Sequence, residues 1–267
     1  MDKYLVVGRP IEHSKSPFIH GHFAKQTHQE LEYSTLLGDE THFEEQVRDF
    51  FAKGGKGMNV TMPFKERAYA MCQVLSKRAQ QAGAVNTLMM GRNGDLFGDT
   101  TDGVGMVRDI TLNHGQELQG KRILILGAGG AVRGVLDPLL AQSPESITIA
   151  NRTVSKAQAL AEQFSCLASS YEDLDGVFDI IINGSSASLS GDLPLLKDSL
   201  VNGKSWCYDM MYAKERTVFL EWVYERGAQG ADGLGMLVGQ AAESFYLWRQ
   251  VRPDTSELIS QMRASMG

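Results

Sequence analysis

Cysteine is scarce in this chain, which has only Cys72, Cys166 and Cys207. The three lie far apart and form no Cys-x-x-Cys pair, so the sequence predicts neither a disulfide framework nor a zinc site built on cysteine. Buried thiols in a reducing compartment are the ordinary interpretation. We therefore expect no bound metal.

Long apolar runs and an excess of positive charge are also missing. No run approaches the roughly 18 apolar residues that a membrane span needs. The chain has 26 Lys and Arg against 32 Asp and Glu, and its net charge of −6 argues against nucleic acid or an anionic membrane as a partner. The first strand-like run starts at Tyr4, which leaves no room for a signal peptide, so we expect a cytoplasmic protein.

The remaining composition is that of a folded globular protein, with 43% hydrophobic and 22% charged residues. A length of 267 residues allows one large domain or two modest ones. Glycine alone is enriched, at 28 residues, and the glycines cluster. Clustered glycines are typical of places where the backbone must approach something closely.

Short β-rich runs alternate with helical patterns in the first hundred residues, which predicts a β-α-β-α-β unit with a mostly parallel sheet. Ser16 before Pro17 is typical of a helix N-cap followed by the first helical position. Thr41 and Glu44 match a capping box. Asn93-Gly94 then predicts a two-residue hairpin turn between residues 86–92 and 95–98.

A second α/β unit begins with the apolar run at residues 122–126. We predict a two-domain α/β protein, with a substrate-binding domain at residues 1–101 completed by helices at 236–267, and a Rossmann-like NADP-binding domain at 102–235. The two domains are expected to share a cleft, because ligands commonly bind there.

The second unit opens with a strand followed at once by Gly127, Gly129 and Gly130 at a predicted helix start. This turn suits a pyrophosphate at a helix N-terminus, although a third glycine of the usual spacing is replaced by Val132. The next strand leads into Arg152, where an NAD enzyme would carry an acidic residue. A guanidinium there favours the 2′-phosphate of NADP over NAD, and the alternative is a solvated surface arginine.

Polar residues of the first unit gather at predicted strand ends. Ser14 and Ser16 precede a helix and suit a carboxylate, with simple helix capping by Ser16 as the alternative. Lys65 and Asp102 both lie beside a strand end. A surface ion pair is the alternative interpretation of those two.

Taken together, these stretches resemble the shikimate dehydrogenase family over nearly the whole chain. The matching stretches are Gly8-Arg9-Pro10-Ile11, residues 13–17, 59–65, 83–87, 101–105, 127–131, 151–153, 209–212 and 232–237, and Gln240. The resemblance implies reversible, NADPH-dependent reduction of 3-dehydroshikimate to shikimate in the pathway to chorismate and the aromatic amino acids. It leaves the oligomeric state open, with a homodimer among the expectations.

The resemblance also implies residue roles. Lys65 and Asp102 would be catalytic, and it is open whether Lys65 transfers the proton or only positions the substrate. Substrate would be bound by Ser14, Ser16, Thr61, Asn86, Asp102, Tyr212 and Gln240. The cofactor would be bound by Gly127, Ala128, Gly129, Gly130, Ala131, Asn151, Arg152, Thr153, Lys156, Met210 and Gly233.

Four departures from the family pattern are expected to alter affinities and not the chemistry: Lys77, Thr100, Gly184-Ser185-Ser186, and Lys214 with Glu215. Two alternative functions stay open at this point. One is a broader quinate and shikimate dehydrogenase, and the other is a non-catalytic relative that binds NADP or shikimate. A tetrahydrofolate dehydrogenase of similar architecture finds no support in Ser14 and Ser16.

Overall fold

The computed structural model describes residues 1–185, 193 and 196–266. The chain divides into two compact units. The first unit consists of residues 1–105 and 238–260, and the second consists of residues 106–237 and 261–267. No helix among the described residues is long and apolar enough to cross a membrane.

The first unit contains a six-stranded mixed sheet in the order β2-β1-β3-β5-β6-β4. Its strands are β1 (Asp2–Gly8), β2 (Leu31–Leu37), β3 (Gly57–Val60), β4 (Val74–Leu75), β5 (Thr87–Met90) and β6 (Leu96–Asp99). Strands β2, β1 and β3 are parallel, and β5 is antiparallel to both β3 and β6. One pairing places Thr87 opposite Asp99, so the residues that flank them, Asn86 and Thr100, come together at one sheet edge.

The second unit contains a six-stranded, fully parallel sheet in the order β12-β11-β10-β7-β8-β9. Its strands are β7 (Arg122–Leu126), β8 (Ser146–Ala150), β9 (Leu167–Ser169), β10 (Ile180–Asn183), β11 (Trp206–Asp209) and β12 (Gln229–Asp232). Successive residues of β7 enter two hydrophobic clusters on opposite faces of the sheet, with Ile123 and Ile125 in one and Leu124 and Leu126 in the other. The strand is therefore buried on both faces, as expected for a parallel sheet covered by helices.

Ten α-helices lie within the described residues. They are α1 (Ser16–Gln26), α2 (Phe43–Ala52), α3 (Lys65–Met71), α4 (Lys77–Ala82), α5 (Asp102–Arg108), α6 (Gly130–Leu140), α7 (Val154–Phe164), α8 (Val218–Glu225), α9 (Leu234–Arg249) and α10 (Ser256–Met266). A π-helical turn at Asp109–Asn113 follows α5.

Both predicted N-caps are wrong. Ser16 is the first residue of α1, and the preceding Lys15 makes no side-chain cap. Thr41 lies outside α2, whose N-cap is His42. Asp39 instead stabilises the turn before α2, because its Oδ1 accepts the N–H groups of Thr41 and His42 at 2.7 and 2.9 Å.

The predicted two-residue hairpin turn is also wrong in detail. The backbone of Gly91 pairs with Asp95, and the Gly94 N–H donates to the Gly91 carbonyl at 3.1 Å. Residues 92–94 therefore form the loop between the paired residues Gly91 and Asp95, with Gly94 at φ +84°. A left-handed glycine in third place is the usual way to close such a loop.

The C-terminal residues differ from the predicted division as well, because residues 261–267 pack with the second unit. Arg263 explains this: it forms an ion pair with Asp232 and donates to the Ala213 carbonyl at 3.1 Å.

Helices α5 and α9 touch through their backbones within the first unit. A β-carbon on Gly105 would lie 2.4 Å from the Gln240 nitrogen, and one on Gly239 would lie 2.9 Å from the Gly105 carbonyl oxygen. No side chain fits at either position. The contact holds the backbone of α9 at Gln240 against the backbone of α5 at Gly105.

Candidate active site

Lys65 and Asp102 form an ion pair in the first unit. Each is the first residue of a helix, α3 and α5 respectively. Lys65 Nζ lies 2.7 Å from Asp102 Oδ2, and the two side chains are 31% and 21% exposed. An ion pair that keeps this much contact with water contributes little to stability. The pair instead holds an ammonium group in a defined place that a small molecule can still reach.

Asn86 determines how the other oxygen of Asp102 is held. Asn86 Oδ1 accepts the backbone N–H of Thr101 at 3.0 Å. Because that N–H can only donate, the orientation of the amide is settled. Asn86 Nδ2 therefore faces Asp102 Oδ1, at 2.9 Å. Both oxygens of Asp102 thus accept hydrogen bonds, one from Lys65 and one from Asn86.

Three buried side chains behind Asn86 received no role from the sequence: Asn59, Thr87 and Ser244. Asn59 Nδ2 donates to the Asn86 carbonyl at 3.1 Å and lies 3.0 Å from Ser244 Oγ. Thr87 Oγ1 lies 2.8 Å from Asn86 Oδ1 and 2.8 Å from Ser244 Oγ. One sequence signal could have found Ser244, since it follows Gln240 by four residues on a helix and shares its face.

Ser14 and Ser16 lie next to each other, because the Ser16 N–H donates to Ser14 Oγ at 3.3 Å. The Ser16 side chain lies near the hydroxyl of Tyr33 and lowers the pKa of that hydroxyl against the larger effect of burial. The sequence analysis did not identify Tyr33. Tyr33 donates its own proton to Asn59 Oδ1 at 2.7 Å.

Tyr33 is itself held by an aromatic neighbour. Its ring lies face to face with that of His20, with centroids 4.2 Å apart and planes 5° from parallel. His20 is fully buried, and burial lowers its pKa to about 3. Burial raises the pKa of Tyr33 well above its usual value. Both side chains are therefore neutral near pH 7. His20 supports the site by packing against Tyr33, and Tyr33 supports it by its hydrogen bond to Asn59.

The other predicted substrate residues are less closely connected. Thr61 follows β3, and its N–H donates to the Val7 carbonyl at 2.9 Å. Gln240 lies half-buried on α9, in the first unit. Tyr212 belongs to the second unit, where burial and the charge of Asp232 raise its pKa.

The predicted cofactor glycines lie at the end of β7, next to the point where the strand order of the second sheet reverses. Gly127 has φ +105°, which favours glycine. A β-carbon on Gly129 or Gly130 would meet nothing within 4 Å. Backbone at the start of α6 is therefore open to a ligand. Dinucleotides bind at this point of such sheets, with the pyrophosphate on the helix N-terminus. Ala128 is partly buried against the core and Ala131 is exposed.

The basic residues predicted to select the cofactor follow β8. Asn151 Nδ2 donates to the Thr153 carbonyl at 2.9 Å, which closes the turn before α7. Arg152 and Lys156 are both exposed. Neither takes part in an ion pair with another described residue. Their charges are therefore available to an anionic ligand.

Met210 and Gly233 follow neighbouring parallel strands, β11 and β12. A β-carbon on Gly233 would lie 2.4 Å from the Met210 carbonyl oxygen. The two predicted cofactor residues are therefore in backbone contact. Buried Asp209 stabilises this turn, because its carboxylate accepts the Thr217 hydroxyl at 2.6 Å and the Met211 N–H at 3.1 Å.

One of the departures from the family pattern has a local explanation. A β-carbon on Gly184 would lie 2.5 Å from Val132 Cγ2, so alanine would not fit without a shift. Thr100 is buried, and its backbone N–H donates to Asp99 Oδ1 at 2.7 Å, a contact that does not depend on the threonine side chain. Lys77 is exposed at the start of α4, where nothing in the structure explains it. Ser186 lies outside the described residues.

No cluster of His, Cys, Asp and Glu within the described part of the chain could hold a metal ion. Burial raises the pKa of the Cys72 and Cys207 thiols to about 12 and that of Cys166 to about 11. These thiols are therefore protonated and unreactive near neutral pH.

Comparison with known proteins gives a consistent family assignment. Three family models match successive parts of the chain: the shikimate dehydrogenase substrate binding domain (residues 6–88), shikimate / quinate 5-dehydrogenase (109–201) and the shikimate 5′-dehydrogenase C-terminal domain (233–263). A curated relative from Chromohalobacter salexigens, shikimate dehydrogenase (NADP(+)), is 55% identical, and the match covers 99% of each chain.

Two solved structures extend the comparison. An Ael1 enzyme from Pseudomonas putida is 48% identical, with a TM-score of 0.94 and 98% of each chain covered. A shikimate 5-dehydrogenase from Thermus thermophilus, solved with NADP(H) and shikimate, is 31% identical, with a TM-score of 0.87 and coverage of 99% of this chain and 100% of that one. This chain belongs to the shikimate dehydrogenase family.

Proposed function

We infer that this protein is an NADP-dependent shikimate dehydrogenase that catalyses the reversible reduction of 3-dehydroshikimate to shikimate in aromatic amino acid biosynthesis. The observation that carries this proposal is the Lys65 and Asp102 pair, which Asn86 holds in a single arrangement. The names of its relatives support the same reaction. The first unit would bind the substrate and the second unit would bind the cofactor.

The residues of this chain control the proton in the proposed reaction. NADPH would supply the hydride to the ring ketone carbon, and the ketone oxygen must gain one proton to become a hydroxyl. Lys65 donates that proton in reduction and accepts it in oxidation. Its ammonium also stabilises negative charge on the oxygen. Asp102 positions Lys65 and hydrogen-bonds a ring hydroxyl.

Substrate recognition falls to the remaining polar residues of the proposed site. Ser14 and Ser16 hold the carboxylate, which the dipole at the start of α1 also favours. The ring hydroxyls and the reacting oxygen are contacted by Thr61, Asn86, Tyr212 and Gln240.

The second unit fits NADP on its own structure, since Gly129 and Gly130 leave backbone open at a helix N-terminus. Arg152 follows the neighbouring strand β8, Lys156 lies in the first turn of α7, and both supply positive charge for a 2′-phosphate. Asn151, Thr153, Met210 and Gly233 complete the proposed cofactor contacts. NADP is therefore proposed over NAD.

A cytoplasmic location and a homodimer remain further parts of the proposal. They are tested by cell fractionation and by light scattering of the purified protein.

One experiment separates this function from its alternatives. Purified protein is given shikimate and NADP, and NADPH formation is followed by absorbance, with quinate and NAD as parallel controls. Rapid formation with shikimate and NADP alone supports the proposal. Equal rates with quinate would indicate the broader enzyme. Binding of NADP without turnover would indicate the non-catalytic relative.

A further inference from the structure

Ser244 lies on helix α9, beside the buried polar residues that surround Asn86. It is completely buried. Its Oγ lies 3.0 Å from Asn59 Nδ2, 2.8 Å from Thr87 Oγ1 and 3.3 Å from Thr101 Oγ1. Its Oγ also lies 3.1 Å from the carbonyl oxygen of Gln240, one turn earlier on α9. One hydroxyl therefore connects α9 to three other segments.

The hydroxyl of Thr87 contacts both Ser244 and Asn86, and so connects them. Thr87 Oγ1 donates to Asn86 Oδ1 at 2.8 Å, on the side where Asn86 also accepts the Thr101 N–H. A Thr87 hydroxyl that donates there must accept at its contact with Ser244, so the single Ser244 proton is directed at Thr87 and not at the Gln240 carbonyl. Ser244 and Thr87 together thus restrain the amide whose Nδ2 faces Asp102.

We propose that Ser244 and Thr87 are positioning residues for the reaction, which hold the Asn86 amide against Asp102 and so fix the Lys65 ammonium. Neither hydroxyl is proposed to touch substrate or cofactor. The inference rests on the proposed function, because it assigns Asn86, Asp102 and Lys65 to the site of turnover.

Ser244→Ala and Thr87→Val each remove one hydroxyl at nearly constant volume. Losing one neutral hydrogen bond predicts a fall in kcat for shikimate of about two- to tenfold. Thr87→Ser restores the hydroxyl and should return kcat to near the wild-type value. The KM for NADP should stay unchanged in all three variants, because the proposed cofactor residues lie in the second unit.

Ser260→Ala is the matched control. Ser260 Oγ likewise lies within hydrogen-bond distance of the carbonyl oxygen four residues earlier, at 3.0 Å, but Ser260 is exposed on α10. Its removal should leave kcat unchanged. Melting temperatures of every variant show whether a lower kcat reflects a lost fold, and if Ser244→Ala does not fold, the comparison of Thr87→Val with Thr87→Ser carries the test.

A second measurement distinguishes positioning from simple packing. In an Asn86→Ala background the hydroxyls have no amide to restrain, so adding Ser244→Ala or Thr87→Val should cost no further kcat. A decrease in kcat by the same factor in both backgrounds would overturn the inference, and so would a Thr87→Val enzyme with wild-type kcat. In either case the wild type still oxidises shikimate, whereas a wild type without that activity refutes the proposed function, and the inference with it.

Discussion

In the first unit most candidate site residues are bonded to one another, whereas in the second unit the glycine turn and the basic side chains face open space. Lys65, Asp102 and Asn86 form a connected set whose orientation is settled before any ligand arrives. Gly129 and Gly130 have open space beside their backbone, and Arg152 is exposed with no ion-pair partner among the residues that the structure describes. The first arrangement suits chemistry, which needs side chains held in place. The second suits binding of a charged ligand through backbone and flexible basic groups.

The largest expected effect is on turnover, from the first unit. Lys65→Ala removes the proposed proton donor, so kcat should fall by about 10² to 10⁴ while NADP affinity and Tm change little. Steady-state kinetics and NADP titration measure the two quantities. Lys53→Ala is the control, because it breaks an exposed ion pair with Asp49 in the same unit. A Lys65→Ala enzyme with most of its kcat would remove Lys65 from proton transfer.

The next effect tests the second unit through its cofactor. Arg152→Asp replaces a charge-assisted contact to the 2′-phosphate worth about 1.5 to 3 kcal/mol, so the KM for NADP should rise about 10-fold to 150-fold. The KM for NAD should change much less. Arg92→Asp makes the same charge reversal on an exposed residue of the first unit and should leave both values unchanged. Equal effects of Arg152→Asp on both cofactors would show that Arg152 is only a solvated group.

A smaller effect is expected where the first unit binds the substrate anion. Ser16→Ala should weaken shikimate binding by about 10-fold, the lower end of the range for a hydrogen bond to a charged group, because the proposed donor Ser14 remains. Ser16 does not cap α1, so Tm should change little. A shikimate analogue with a neutral amide for the carboxylate should bind wild type poorly. If Ser14→Ala/Ser16→Ala still prefers the carboxylate by the wild-type margin, the anion is held elsewhere.

The smallest effect on turnover, and the clearest on pH dependence, concerns His20. Its folded pKa of about 3 lies below the unfolded value of about 6.5, so only the unfolded state gains a proton between those values. Stability should therefore fall as the pH drops from 6.5 towards 3, by about 2 kcal/mol between pH 7 and pH 5. Urea unfolding at both pH values measures this difference.

His20→Phe keeps an aromatic ring beside Tyr33 and should remove most of that difference. His28→Gln, at an exposed position, should keep it. A wild-type difference that persists in His20→Phe would show that other groups cause the pH dependence.

The sequence predicted the backbone pattern well because that pattern repeats along the chain. The order of the longer strands and helices, including the strand at residues 122–126, agrees with the structure, where that strand is β7. Short elements such as β4 and α4 were missed, since two to six residues carry too little periodicity. The caps were wrong because Ser16 and Asp39 formed tertiary and turn contacts that a local pattern does not contain.

In the candidate site, too, roles that depend on the backbone could be predicted from the sequence, and roles that depend on tertiary contacts could not. The glycines of the second unit were visible because their role depends on backbone, which leaves a mark in residue type. The roles of Asn59 and Tyr33 were not visible, since they depend on partners between 26 and 185 positions away. Ordinary polar residues acquire such roles only through tertiary packing.

The backbone contact between Gly105 and Gly239 limits how this chain could vary over evolution. Where two side chains touch, a larger residue on one helix can be balanced by a smaller one on the other. Here each glycine faces the partner's main chain, which cannot be made smaller. A single added methyl group would have to be accommodated by moving α9 as a whole, with Gln240 and Ser244 on it. The crossing therefore offers no compensating substitution, and it ties variation at two unremarkable positions to the geometry of the site.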